Sequence, residues 1–361
     1  MVWITMKKLL VVGATGLLGK ATIKYFKNKE DWKCAGLSRR PHKIRNVQYL
    51  PGDLLNKGSI DRLQSRLHDV THVLYAALYE MDDLLTGWRH SEQIRTNTLM
   101  FQNLTNTLSL YSPKLRHVSI LQGTKAYGIH VEPMKAPAKE KWPRHDHDNF
   151  YWHQEDILKR LAKKKNWSFN IWRPQVVLGN ATGSPMNLIA AVAVYATICR
   201  ETGMAFFQPK GTPIVTEATD AALFARALEW AFNEKNAQNQ TFNITNGDVL
   251  IWHHLWPEIA NYFDVPLGQK RNRTLATALP KLEKEWRLIV EKYQLKKLTL
   301  RELVGGSWQF LDRALRDAGP SPSPSLVSTI KIRKVGFNGC IDTSESIQKY
   351  FMEMRRERLI P

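Results

Sequence analysis

The chain has 361 residues, 43% of them hydrophobic, with 12 tryptophans, which excludes a disordered chain and suits one large α/β domain or a domain with an annex. No apolar run approaches the roughly 18 to 20 residues of a membrane span. Three scattered cysteines (Cys34, Cys199, Cys340) without a CxxC pair argue against a disulfide framework or zinc knuckle and fit a reducing cytoplasm. The net charge of +19 would attract polyanions, but the basic residues are dispersed and form no nucleic-acid-reading motif, so they suit an anionic cofactor better.

The opening MVWITMKKLLVVGATG has the lysines and apolar stretch of a signal peptide. Its glycines, however, belong to a nucleotide-binding pattern, and no small-residue cleavage site follows. KKLLVVG reads as a strand and LLGKATIKYFKNK as a helix. WKCAGLSRR and VQYLPGDL are the second and third strands, with SIDRLQSRLHD a helix after them. THVLYAAL is the fourth strand, SEQIRTNTLMFQNLTNTLSLY a long helix, and LRHVSILQG the fifth strand. A helix from about Asn149 to Lys165 and the strand SFNIWRP complete this part. Alternating strands and helices predict parallel βαβ units with right-handed crossovers. After Pro174 the rhythm loosens. SPMNLIAAVAVYATICR, TEATDAALFARALEWAFN and IWHHLWPEIANYFDV read as helices, QTFNITNGD as a strand with a turn, and the remainder is largely helical apart from the surface loop AGPSPSPSL.

The loop VVGATGLLG places Gly13, Gly16 and Gly19 between the first strand and the first helix. Gly13 permits the tight turn, Gly16 lets the backbone approach a pyrophosphate, and Gly19 lets helix and strand pack closely. The helix N-terminus then offers free N–H groups to phosphates. The second strand ends in Ser38, Arg39 and Arg40 with no carboxylate for a ribose 2′-OH. Guanidinium groups suit a 2′-phosphate, which points to NADPH. Asp53, just after the third strand, is placed as an acceptor at the adenine edge with Leu54 against the ring; as a bland alternative it is a turn residue.

In NFYWHQEDIL a tyrosine precedes a polar helix, as a reductase's proton donor would. The lysine usual four residues later is replaced by Glu155. Groups at the carboxyl ends of the strands face the cofactor crevice. LQGTKAYG therefore places Lys125 just beyond the fifth strand, at the same rim as Tyr151. Glu155 and Asp156 read as a solvated face or as acidic residues favoured near a helix N-terminus. The cluster RHDHDNFYWH gathers His145, His147 and His153 with Asp146 and Asp148, but it lies in a loop with no second ligand group elsewhere, and no metal is expected.

The stretches GATGLLG, SRR, GDL, GTKAYG, NFYWHQEDIL, WRPQVVLG and SPMNLIAAVAVYATIC, with FNITNGDV, WHHLW and the VGF…IP end, run along most of the chain. Together they resemble the progesterone 5β-reductase/iridoid synthase family of the extended short-chain dehydrogenases/reductases. The resemblance implies an NADPH-dependent oxidoreductase acting on CH–CH bonds, reducing the C=C bond of α,β-unsaturated carbonyl compounds with Tyr151 and Lys125 as catalytic residues. It carries cofactor contacts over to Thr15, Gly16, Leu17, Arg39, Arg40, Asp53, Leu54, Ala77, Leu121, Val177, Ser184 and Met186, beside Tyr151 itself. Ala77 and Leu121 depart from the polar residues usual in the family, the segment between Lys125 and Tyr151 is shortened, and ALYEMDDLLTGW lacks the usual aromatic start.

The expected fold is α/β. A Rossmann doubly wound parallel sheet over residues 1–173 is followed by a smaller, mostly helical C-terminal substrate region over 174–361, which returns segments to the Rossmann core. The expected partner is a small-molecule enone or enal, with a homodimer the candidate assembly and neither nucleic acid nor membrane involved. Two alternatives stand beside this reading. One is a carbonyl reductase or nucleotide-sugar epimerase of the same superfamily, which Glu155 disfavours; the other is a non-catalytic dinucleotide sensor, which the retained tyrosine and lysine disfavour.

Overall fold

The computed structural model describes residues 6–39, 44–84, 86–212, 214–315 and 323–361. Arg40 and part of the AGPSPSPSL loop lie outside the described residues. Nine strands occur in chain order among them: β1 (Lys7–Val12), β2 (Trp32–Ser38), β3 (Val47–Pro51), β4 (His72–Tyr75), β5 (His117–Leu121), β6 (Ser168–Pro174), β7 (Val176–Leu178), β8 (Ala218–Asp220) and β9 (Gln240–Ile244). Seven of them form one sheet in the order β3-β2-β1-β4-β5-β6-β9, and every adjacent pair is parallel. The order reverses direction between β1 and β4, and in such sheets that switch point opens the ligand crevice.

A central parallel strand is covered on both faces, which is why β1 is a continuous apolar run and not an alternating one. Leu9 and Val11 pack with Ile23 and Phe26 of the helix Leu17–Phe26 and with Phe224 and Leu228 of Ala221–Asn233. Leu10 and Val12 face the other way, onto Phe101, Leu104 and Leu108 of Ser91–Tyr111 and Leu158 of Phe150–Lys165. Each such side chain contributes about 1.5–3 kcal/mol when fully buried.

The chain beyond β6 builds a second apolar core around the helix Leu188–Thr202, whose residues from Leu188 to Cys199 are all buried. It is wrapped by the helices Trp252–Phe263, Glu283–Lys292, Ser307–Leu315 and Thr343–Arg356. Two segments return to the first core: β9 extends the sheet beyond β6, and Ala221–Asn233 covers its face.

Two local readings are corrected. TEATDAALFARALEWAFN is not helical throughout, because Ala218–Asp220 pairs in parallel with Val176–Leu178, and Asp220 then caps the helix by accepting from the N–H groups of Ala222 and Leu223. The helix predicted from Ser184 starts at Leu188, after Asn187, whose side chain accepts from Ala190 N–H.

Candidate active site

A continuous cleft of about 1780 Å³ runs from the switch point into the helical region. It exceeds the roughly 300–1,000 Å³ of a typical drug-sized site, so there is room for a dinucleotide and a substrate together. At its base the chain turns sharply through Gly13, at φ +84, and a Cβ there would stand 2.6 Å from the Ala76 backbone. One on Gly19 would stand 2.2 Å from the Gly13 carbonyl oxygen, so this helix can seat on β1 only with glycine there. Gly16 is the N-cap of Leu17–Phe26 and offers no side-chain cap, which leaves the first N–H groups to a ligand.

Of the residues anticipated for the cofactor, Gly13, Thr15, Gly16, Leu17, Ser38, Arg39, Asp53, Leu54, Ala77, Leu121, Tyr151, Val177, Ser184 and Met186 all line this one cleft. Gly19 lies behind it as a packing contact, and Arg40 is outside the described residues. Asp53 also accepts from Leu55 N–H at 3.0 Å, so the turn role is real alongside any ligand role. Sequence reasoning missed a neighbouring groove in which Arg39 is joined by Arg62, Arg66 and Ser59. Arg62 and Arg66 come from SIDRLQSRLHD, which reads as one helix but forms two short ones, Lys57–Asp61 and Gln64–Leu67, and helical spacing alone does not place either arginine beside Arg39.

At the other end, β5 delivers Lys125 on a single helical turn, Thr124–Tyr127, and the helix Phe150–Lys165 delivers Tyr151 from its first turn. Both flank the indole of Trp88. Lys125 Nζ lies 3.7 Å from a Trp88 ring centroid, and the Tyr151 ring packs edge-on at 5.3 Å between centroids. The Tyr151 hydroxyl rests against Gly123, where a Cβ would stand 3.6 Å from it. Lys125 Nζ also meets the Met186 sulfur at 3.9 Å. Met186 is held in the left-handed region at φ +58, and the next residue, Asn187, donates its side-chain Nδ2 to Ala181 O and its backbone N–H to Ser307 Oγ.

Burial lowers the Lys125 ammonium to about 8, with Glu80 pulling the other way and Arg313 adding to the fall. Burial also pushes the Tyr151 phenol well above its ordinary value of about 10, and Glu80 adds to that. In this pocket Tyr151 is a neutral O–H donor. Glu80 was not foreseen. Its carboxylate accepts from Trp88 Nε1 at 3.1 Å and Gln93 Nε2 at 3.0 Å, fixing the ring against which Lys125 lies. Trp88 ends the ALYEMDDLLTGW loop, which has no periodicity to mark it.

The reading of Glu155 as a solvated residue is also corrected. It is 5% exposed and engaged by Lys159 at 2.6 Å, Gln122 at 3.0 Å and Arg144 at 3.1 Å. Burial pushes its carboxyl up, but Lys159, Gln122 and Arg144 together hold it below the usual range. Gln122 in turn accepts from Arg173 Nε at 2.9 Å, so the position of the usual lysine is part of a buried framework beneath Tyr151. Asp156, by contrast, is at the surface and pairs with Arg144.

The family model for the PRISE-like Rossmann-fold domain matches residues 53–278. Among curated proteins, the (S)-8-oxocitronellyl enol synthase of Catharanthus roseus is 32% identical, over 98% of this chain and 92% of that one. The 3-oxo-Delta(4,5)-steroid 5-beta-reductase of Arabidopsis thaliana is 29% identical, again over 98% and 92%. Among solved structures, the UDP-glucose 4-epimerase of Thermus thermophilus in complex with NAD superposes with a TM-score of 0.66 over 96% of this chain and 99% of that one, at 15% identity. That last likeness is one of fold.

Proposed function

Since the chain belongs to the PRISE-like Rossmann-fold family, the progesterone 5β-reductase/iridoid synthase group, we propose that it reduces the C=C bond of an α,β-unsaturated carbonyl compound with NADPH. The observation that carries this reading is the meeting of Tyr151 and Lys125 on the Trp88 ring at the cleft, with Glu155 filling the position of the usual lysine. An epimerase or carbonyl reductase of this superfamily normally needs that lysine, so Glu155 speaks against both alternatives.

The glycine loop and the N-terminus of Leu17–Phe26 would hold the pyrophosphate, Asp53 and Leu54 the adenine, and Arg39 with Arg40 and Arg62 the 2′-phosphate. When bound, NADPH supplies a hydride to the β-carbon. As charge then grows on the substrate carbonyl oxygen, the neutral Tyr151 O–H donates to it, and Lys125 stabilises the same charge through a dry pocket where electrostatics act strongly. Burial favours the neutral phenol, so Tyr151 serves by hydrogen bonding to the enolate, with water as the proton source for the α-carbon. Residues 174–361 supply the substrate-side wall, including Phe310 and Arg313.

Tyr151→Phe tests this directly. Loss of one such donor costs about 10²–10³ in kcat, while NADPH affinity changes little. Lys125→Ala also slows turnover, and the double variant loses less than the sum of the two because they act as a unit. Wild-type turnover by Tyr151→Phe would remove the basis of the reading.

A further inference from the structure

Apart from Tyr151, the RHDHDNFYWH motif is left unused by this chemistry, yet Asn149, His147 and His145 form with Glu132 one continuous hydrogen-bonded chain that ends at the site. Asn149 is 1% exposed, between Tyr151 and Lys125. Its Oδ1 accepts the Tyr151 N–H at 3.0 Å and so caps the helix that begins at Phe150. Its Nδ2 must then face the other way, where it donates to the Lys125 carbonyl at 3.4 Å and to His147 Nε2 at 3.0 Å.

That arrangement fixes every proton along the chain. An accepting Nε2 puts the His147 proton on Nδ1, which donates to His145 Nδ1 at 2.9 Å. His145 therefore carries its proton on Nε2, which donates to Glu132 Oε1 at 3.0 Å. Both imidazoles are neutral, each in one tautomer, and their ring nitrogens are committed to one another, to Glu132 and to Asn149. For His147 the neutral form is favoured by burial first and by His145 second, against Asp148 and Asp146. Rotating the Asn149 amide by half a turn would set N–H against the Tyr151 N–H, and oxygen against both the Lys125 carbonyl and the His147 lone pair.

We propose that Asn149 is a positioning residue for Tyr151 and Lys125, and that His147 and His145 lock its amide in the single orientation that serves both. This rests on the reading that Tyr151 and Lys125 carry the reduction. One buried amide holds the backbone of both residues, so a change in its orientation moves the donor and the cation relative to each other. Displacements of about 1 Å in such pairs cost up to about 10²-fold in rate.

The test uses the full-length protein with NADPH and 2-cyclohexenone, reading kcat, NADPH affinity and Tm. Asn149→Asp keeps an oxygen for the Tyr151 N–H and is an equally good cap, but it has no N–H for Lys125 or His147. Its NADPH affinity should match the wild type while kcat, measured well below its Tm, falls on the order of 10–100-fold. Some loss of Tm is expected, because the second carboxylate oxygen meets the Lys125 carbonyl and the His147 lone pair. Because aspartate also brings a charge, a neutral pair checks it. His147→Leu should lower kcat, and His147→Gln, whose carbonyl can accept from Asn149, should restore most of it. Wild-type kcat in Asn149→Asp, or identical kcat in His147→Leu and His147→Gln, overturns the proposal. A loss of NADPH affinity in step with the loss of kcat makes Asn149 a mere cap and overturns it too. Tyr151→Phe run in parallel separates the two readings: slow Tyr151→Phe beside fast Asn149→Asp defeats the positioning role alone, whereas fast Tyr151→Phe defeats the chemistry on which it rests.

Discussion

Lys125 holds its charge against an indole face and a thioether sulfur, with the Glu80 carboxylate behind the indole. Such a setting favours function over stability. The lysine titrates near 8 in the fold and near 10.4 when unfolded. Folding therefore carries a penalty that is fully present below about 8 and fades as pH rises towards the unfolded value. Lys125→Met should accordingly raise stability at pH 7 by on the order of 1–3 kcal/mol while slowing reduction, the lower figure allowing for the Glu80 carboxylate left behind. Thermal melts at pH 7 and near pH 10.4 check this, since the gain should shrink at the higher pH. At the opposite end of the cleft, replacing Arg39, Arg40 and Arg62 by alanine should raise KM for NADPH much more than for NADH, and equal effects on the two would sink the NADPH assignment. The Tyr151–Lys125 pair was legible in the sequence because each sits at the tip of a recognisable strand or helix. Trp88 and Glu80 were not, because they reach the site from an aperiodic segment whose course only the fold decides, and Arg62 was not, because the helix predicted for SIDRLQSRLHD carried no sign that it lies beside Arg39.

At the scale of elements, two joints position the cleft. Gly19 lets the helix Leu17–Phe26 seat on β1, and Gly19→Ala forces the helix away from the Gly13 carbonyl. The expected outcome is weakened dinucleotide binding, read as a smaller NADPH-induced rise in Tm. Asp220 ties the C-terminal helix Thr343–Arg356 to Ala221–Asn233: it is fully buried, caps the latter helix, and accepts from Ser346 and Lys349. Asp220→Ala removes the cap and the acceptor of the buried Ser346 hydroxyl, while the half-exposed Lys349 ammonium turns to water, a loss of about 2–4 kcal/mol by denaturant unfolding. A change under ~1 kcal/mol would show that the contact is dispensable. The long helices were legible because their apolar faces repeat every three to four residues over several turns. The β7–β8 pair was not, since each strand is three residues long and only its partner's position makes it a strand.

Across the whole molecule, the parallel sheet and the C-terminal helices depend on each other, for β9 and Ala221–Asn233 come from the later part of the chain and complete the first core. The strand QTFNITNGD was legible in the sequence, whereas its place beside β6 required the structure. Among the described residues no helix is long and apolar enough to cross a membrane. The cleft between the two parts unites the glycine loop with Tyr151 and Lys125, and its central claim concerns which bond is reduced. The most direct measurement is turnover of 2-cyclohexenone with NADPH carrying deuterium at the transferable position of C4, with the product identified by mass spectrometry and NMR. The account predicts cyclohexanone with deuterium at the former β-carbon, formed about 10²–10³ times more slowly by Tyr151→Phe. An allylic alcohol labelled at the carbonyl carbon, or cyclohexanone formed equally fast by the variant, would contradict it.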